Sequence, residues 1–480
     1  MNGQILSVKP NRTMKNSKLV RLLSRLSASE IDGFGAYLRG VHAGEDTPLS
    51  FFEYLYSFYP DFEGEGLEKE SIAQELGLRT AQSGKRISNL ASQVYGWLID
   101  YLAWQKFHSE ENKFEYYRMA MEAAREKKLE KEFHHLAGKA SEWLDASPAS
   151  IWLPAQYMRL AHAHYYYTPT KRWKAAMQYL DEATTHLHRF FHTSNLKYFC
   201  EMKNRTIALQ EDDSRLKKFQ SAGAEDFEAG FVLARLYSLC AELLTKDNDE
   251  NYENFYNAFM SNDKPLGKED EQVLLKYLIN AIARRIPGDE ELWMPRAFRL
   301  YRYGLDRGIL IMDGYLTDLA FHNIIHVACG AREMAWAEEF VNAYAEFLVD
   351  EGRDSTINLA LARIAFERSK FGETLELLNG LVFKSYSFAI QARLLQVRCF
   401  YEQGETLAFE SLLKSFDALL SRNKVVNKES TLAAYRNFLK ILRMLGSGNY
   451  TRQQLEEAIR EQEHLVCGAW LKRKVQSLPE

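Results

Sequence analysis

The chain has 480 residues, 46% hydrophobic and 26% charged, with a net charge of −4. That length exceeds what one core usually serves, and the composition is that of an ordinary soluble protein rather than a basic nucleic-acid binder. Only 10 prolines and 26 glycines interrupt long runs of Leu, Ala, Glu, Lys and Arg, which predicts a helix share well above the usual third.

Residues 1–20 carry Lys9, Arg12, Lys15 and Lys18 without an apolar core of signal-peptide length. No run of about 18 apolar residues occurs, so a cytoplasmic location without membrane association is expected. Leu19, Leu22, Leu23 and Leu26 predict a first helix over 18–26. Ser27 and Glu30 form a capping box that opens a second helix, whose inner face is Ile31, Phe34, Tyr37 and Leu38. An aromatic helix through Phe51, Phe52, Leu55 and Phe58 stops at Pro60, a short helix covers 69–76, and a long one covers 85–107. These elements make an expected N-terminal helical module over 1–110. Lys85 and Arg86 at the start of the long helix invite comparison with a helix-turn-helix reader, but Asn89, Ser92 and Gln93 are ordinary solvated polar residues.

From residue 111 the pattern becomes hairpins of about 35 to 40 residues. Helices are expected over 116–125, 131–144, 154–167, 172–191, 196–209, 225–244, 252–260, 271–285 and 294–305. They continue over 317–329, 334–348, 356–368, 373–381, 388–401, 406–420, 431–445 and 452–471. Two of these hairpins repeat each other 35 residues apart: Leu359 matches Leu394, Arg363 matches Arg398, Glu367 matches Glu402, and Leu377 and Leu378 match Leu412 and Leu413. Phe366 matches Tyr401 in the same register. Such a period belongs to stacked helical pairs, none of which buries its apolar face alone. With no alternating strand pattern, the expected class is all-α: a right-handed α-α superhelix, a tetratricopeptide-like solenoid over 111–480, preceded by the N-terminal module. The 13% aromatic content supplies knobs between helices.

The motifs Trp336-Ala337-Glu338, Phe400-Tyr401-Glu402, Glu410 to Phe416, Arg422-Asn423-Lys424 and Tyr435 to Phe438 resemble a family of uncharacterised bacterial proteins. Those proteins join an N-terminal helical module to degenerate tetratricopeptide-like hairpins. The opening segment, Leu22-Leu23 through Tyr37-Leu38-Arg39, resembles the start of the same family. The resemblance implies a fold but no activity and no site residues. The chain departs from the regular repeat in its turns, where Gly404 corresponds to Ser369.

No catalytic constellation stands out. His188/His192 and His322/His326 share the i, i+4 spacing of zinc ligands, yet Arg189 and Asn323 occupy the place of a metalloprotease glutamate and no third ligand is suggested. Gly33, Gly35 and Gly40 lie within a predicted helix, and Gly77, Gly84 and Lys85 have the wrong spacing for a phosphate loop, so no cofactor or metal is expected. The five cysteines form no CxxC pair and read as reduced.

The polar cluster of greatest interest is Arg296, Arg299, Arg302 and Arg307 with Trp293, Tyr301 and Tyr303, three arginines stepping along one helix flank. A second is Arg422, Asn423, Lys424, Tyr435 and Arg436. The structural alternatives are ion pairs to the next helix for the first cluster and helix capping for the second. The chain is expected to be a non-enzymatic scaffold gripping a protein or peptide partner through Arg296, Arg299, Arg302, Tyr303, Arg422, Lys424, Tyr435 and Arg436. The alternative is nucleic-acid binding or regulation through the N-terminal module, where residues 1–40 hold seven basic and two acidic side chains. A deep pocket lined by convergent ionisable groups would instead favour an enzyme.

Overall fold

The computed structural model describes residues 13–78, 82–167, 173–209, 211–212, 214–216, 231–383, 385–422 and 429–478. At 173, 175, 208, 422, 429 and 430 the backbone alone is described. Among the described residues the chain is all-helical, 77% helix in 22 α-helices and no strand. It divides into two compact units, Met1–Ser147 with Arg159–Leu180, and Pro148–Met158 with Asp181–Glu480.

The first unit holds α1 (Lys18–Leu23), α2 (Ala28–Val41), α3 (Asp46–Tyr56), α4 (Lys69–Glu75), α5 (Ser83–Phe107), α6 (Lys113–Glu126) and α7 (Glu130–Ala146). The capping box forms: Glu30 N donates to Ser27 Oγ at 3.3 Å, and Ser27 N to Glu30 Oε2 at 2.8 Å. Phe34, Phe51, Phe52, Ile87, Val94 and Leu98 are buried in one core. Phe34 meets Phe52 edge-on at 5.0 Å, the arrangement that ring quadrupoles prefer. Both α8 (Leu153–Tyr167) and α9 (Trp173–Leu209) contribute to each unit.

The second unit continues through α10 (Val232–Thr245), α11 (Asp249–Met260), α12 (Lys268–Arg285), α13 (Glu290–Asp306), α14 (Asp318–Gly330) and α15 (Met334–Tyr344). It ends with α16 (Arg353–Glu367), α17 (Phe371–Leu378), α18 (Tyr386–Gln403), α19 (Thr406–Arg422), α20 (Glu429–Ser447), α21 (Arg452–Arg460) and α22 (Gly468–Gln476). From α12 onward each helix packs on its sequence neighbours, and α14, α16 and α18 also pack on one another in order.

Two expected boundaries are corrected. The helices expected over 172–191 and 196–209 are one, α9, because 192–195 contains neither Gly nor Pro and His192 and Thr193 are buried rather than turned to solvent. Conversely, the helix expected over 452–471 is two, α21 and α22, with Cys467 in the left-handed region at φ 53° just before α22.

A buried polar knot ties the start of this unit together. Asp270 on α12 accepts hydrogen bonds from Lys197 Nζ of α9 (2.9 Å), Tyr237 Oη of α10 (2.7 Å) and the Ile151 amide (3.1 Å). Asp270 and Lys197 are both buried, and a buried charge survives only when paired and hydrogen-bonded in this way.

The turns after α14, α16 and α18 share one geometry. Arg332, Ser369 and Gly404 are each left-handed, at φ 66°, 59° and 72°. The next residue donates its amide five residues back in every case: Glu333 to Ala328 O, Lys370 to Ala365 O and Glu405 to Phe400 O, at 2.9 to 3.0 Å. That bond satisfies an orphan carbonyl at the helix end. The turn therefore repeats even where the sequence supplies Ser or Arg instead of Gly.

Candidate functional site

Counting back six residues from each left-handed turn residue reaches His326 on α14, Arg363 on α16 and Arg398 on α18. Alternate helices thus present register-equivalent side chains to one place. All three line a cavity of about 830 Å³ within the second unit. Its wall is completed by Glu290 and Met294 of α13, Tyr435 of α20, and Trp470, Arg473 and Lys474 of α22.

The geometry around the arginines is specific. Arg398 is 4% exposed, with its guanidinium 4.2 Å from the Phe366 ring centroid and 5.9 Å from that of Trp470. Its Nε donates to Leu394 O on its own helix at 3.1 Å, and among the described residues no carboxylate pairs with it. Arg363 lies 3.1 Å through Nη1 from Nδ1 of His326. A guanidinium only donates, so Nδ1 accepts and the imidazole is neutral with its proton on Nε2. Burial, and then the charge of Arg398, pulls the Arg363 pKa down. The cavity therefore holds two guanidiniums whose charges act on each other, neither ion-paired to a carboxylate among the described residues.

His322, one turn before His326, is 5% exposed and its Nε2 has no hydrogen-bond partner. Its ring lies 4.5 Å from that of Phe388. Burial, followed by Arg363, pulls His322 down to about 3, and the same causes pull the more accessible His326 below its ordinary value. Burial lifts the Glu290 carboxyl, opposed by Arg473. Burial likewise pushes the Cys329 thiol up to about 12, away from the thiolate form that reacts. Tyr435 is pushed up to about 12, chiefly by burial.

Glu402 is already engaged: it accepts from Trp470 Nε1 at 2.9 Å and from Lys474 Nζ at 2.6 Å. Arg332, Arg363, Arg398, Arg473 and Lys474 thus face Glu290, Glu367 and Glu402 around a cavity of cationic balance.

The chain matches no protein-family model, no curated protein and no solved structure. No group of three or more His, Cys, Asp or Glu side chains able to hold a metal occurs among the described residues, and no helix there is long and apolar enough to cross a membrane.

The side chains singled out in the sequence fall in several places. Tyr435 lines the cavity. Arg296 pairs with Glu253 of α11 and stacks on Trp293 at 4.9 Å. Arg302 lies 5.9 Å from the Phe298 ring, and Arg299 is exposed on the same helix. Tyr303 donates to Glu271 of α12, which Arg307 also contacts at 3.0 Å. The α13 ladder is thus largely tied to its neighbours and lies outside the cavity lining, to which α13 gives Glu290 and Met294. Arg436 is exposed on α20. Lys424 and Asn423 lie outside the described residues, as does the side chain of Arg422. The matching pair Arg363 and Arg398 was visible in the sequence as evidence of repetition. Its functional signal was a long cation repeated between two copies of a pattern that, apart from Glu367 and Glu402, is apolar or aromatic.

Proposed function

We propose that the chain is a non-enzymatic scaffold that seats a segment of a partner protein against the cavity bounded by α14, α16, α18 and α22. Support comes chiefly from the equivalent placement of Arg363 and Arg398, two guanidiniums with no carboxylate partner among the described residues, which line a shared space with Phe366 and Trp470. Planar forks beside aromatic faces suit carboxylate-bearing chains, and a stack of like helices in a superhelix repeats such contacts along a segment. A random peptide library displayed on phage and selected on the full chain tests this. The wild type should enrich a consensus that the Arg363→Glu variant does not; no enrichment on the wild type would overturn it.

A second proposal, an enzyme acting in the same cavity, is favoured by the meeting there of Glu290, His322, His326 and Cys467. Mass analysis of a peptide recovered from the chain separates the two: an unaltered peptide supports the scaffold, a cleaved or modified one the enzyme. The nucleic-acid alternative draws on α5, where Ser88 and Ser92 donate to carbonyls of their own helix and Gln93 donates to Glu45 at 2.9 Å. That face has fewer free donors than its sequence suggests.

A further inference from the structure

We infer that Arg363 and Arg398 form a seat for a carboxylate carried on an apolar body, with the unpartnered Nε2 of His322 beside it, so that the guest is recognised by an acidic head and a greasy or aromatic shaft. This rests on the proposal above in that it specifies the chemistry of the guest.

Three independent observations converge. First, Arg398 is nearly fully buried without a carboxylate partner among the described residues, a costly state unless something else supplies the counter-charge. Second, His322 is 5% exposed at the cavity wall, and its Nε2 has no partner. Buried polar atoms are ordinarily satisfied, so an orphan at a cavity marks a place for a ligand atom. Third, the space is far larger than a bare inorganic anion needs, and Phe366, Leu394, Tyr435, Val466 and Trp470 give it an apolar wall next to the cations. A lone phosphate would satisfy the charges and leave that wall empty. A carboxylate on a hydrocarbon or aromatic stem satisfies both, and it matches the guanidinium fork in shape. The carboxylate can belong to an acidic residue of a bound segment or to a free organic acid. Both present the same head to the same pair.

The experiment is titration calorimetry on the full chain with 4-phenylbutyrate, its neutral isostere 4-phenylbutyramide, and inorganic phosphate. The acid should bind saturably, with the amide and phosphate weaker by about tenfold or more, the scale of losing charge-assisted hydrogen bonds. Arg363→Gln and Arg398→Lys should each weaken the acid by a similar factor. The second variant keeps a charge and much of the buried stem, so circular dichroism should show an intact fold. Equal affinity for acid and amide, tighter binding of phosphate, indifference to Arg363→Gln, or no saturable binding of the acid would overturn the inference. The two proposals fail separately. Acid binding without peptide enrichment keeps the seat and removes the protein segment, leaving the free acid as the source. Enriched peptides indifferent to both arginines keep the segment and remove the seat.

Discussion

Arg363 donates through Nη1 to Nδ1 of His326 across 3.1 Å, tying equivalent positions of α14 and α16 together at the cavity wall. An imidazolium there would lose its acceptor and face a guanidinium, so the histidine must stay neutral in the folded chain. Its pKa accordingly lies below the ordinary 6.5, and that of the buried His322 falls to about 3, with burial the leading cause and Arg363 the next. Between those values the unfolded chain takes up protons that the folded chain refuses. Stability from these groups is fully present above 6.5 and is lost as pH falls toward 3. The urea midpoint of the wild type should therefore drop between pH 7.5 and 4.5, and His326→Gln, which keeps an acceptor, should drop less. Equal drops in both proteins would show that His326 is not a titrating group.

The repeated turn yields a pair of opposite effects. Gly404 and Ser369 hold the same left-handed conformation, and the space where a Cβ would stand at Gly404 is open, so only backbone strain distinguishes the residues. Gly404→Ala should cost about 1 kcal/mol, whereas Ser369→Gly should stabilise by about 0.5 kcal/mol once the extra freedom of the unfolded chain is deducted. Urea unfolding of both variants measures this, and effects of the same sign would break the equivalence of the two turns.

The polar knot at Asp270 makes a stronger demand. Asp270→Ala would leave Lys197 buried with only the exposed Glu269 as counter-ion and would orphan the Tyr237 hydroxyl. Removing one partner of a buried pair costs about 3–5 kcal/mol, so this variant should unfold at much lower urea than the wild type, and Lys197→Met should cost less. Comparable midpoints for Asp270→Ala and the wild type would show that the knot contributes little.

Much of the architecture was legible because helical packing writes itself locally. The pairs Leu359/Leu394 and Leu377/Leu412 set the spacing of successive hairpins, α16 to α18 and α17 to α19, and Ser27 with Glu30 marked a cap that the structure forms bond for bond. The fusion of α9 was not legible, since polar 192–195 looks like a turn until its burial is known. Nor was the cavity. His326, Arg363 and Arg398 are equivalent only through the left-handed turns that follow them, and Arg332, unlike Gly404, does not announce that backbone in its side chain. The arginine ladder of α13 drew notice by spacing alone. Its partners Glu253 and Glu271 sit on other helices, roughly 30 to 45 residues upstream, where one sequence cannot pair them.

The α13 ladder and the cavity make separable predictions about binding. Arg299 and Arg302 lie outside the cavity lining, so charge reversal at both should leave the affinity for 4-phenylbutyrate unchanged, while Arg363→Glu abolishes it. Loss of binding in the Arg299→Glu, Arg302→Glu variant would return the guest site to α13.

Glu402 gives the sharpest electrostatic test because the expected change is a gain. Its carboxylate holds Lys474 at 2.6 Å and Trp470 at 2.9 Å, so part of the cationic charge at the cavity is cancelled before any guest arrives. Glu402→Gln keeps a carbonyl oxygen to accept from Trp470 and removes the negative charge, leaving Lys474 free to act on an anion in the cavity. Binding of 4-phenylbutyrate should tighten by about threefold to tenfold, with the larger gain at low ionic strength, where charges are less screened. Affinity for 4-phenylbutyramide should stay constant. A weaker acid in Glu402→Gln, with the fold intact by circular dichroism, would mean that Glu402 positions Trp470 for the guest rather than opposing its charge.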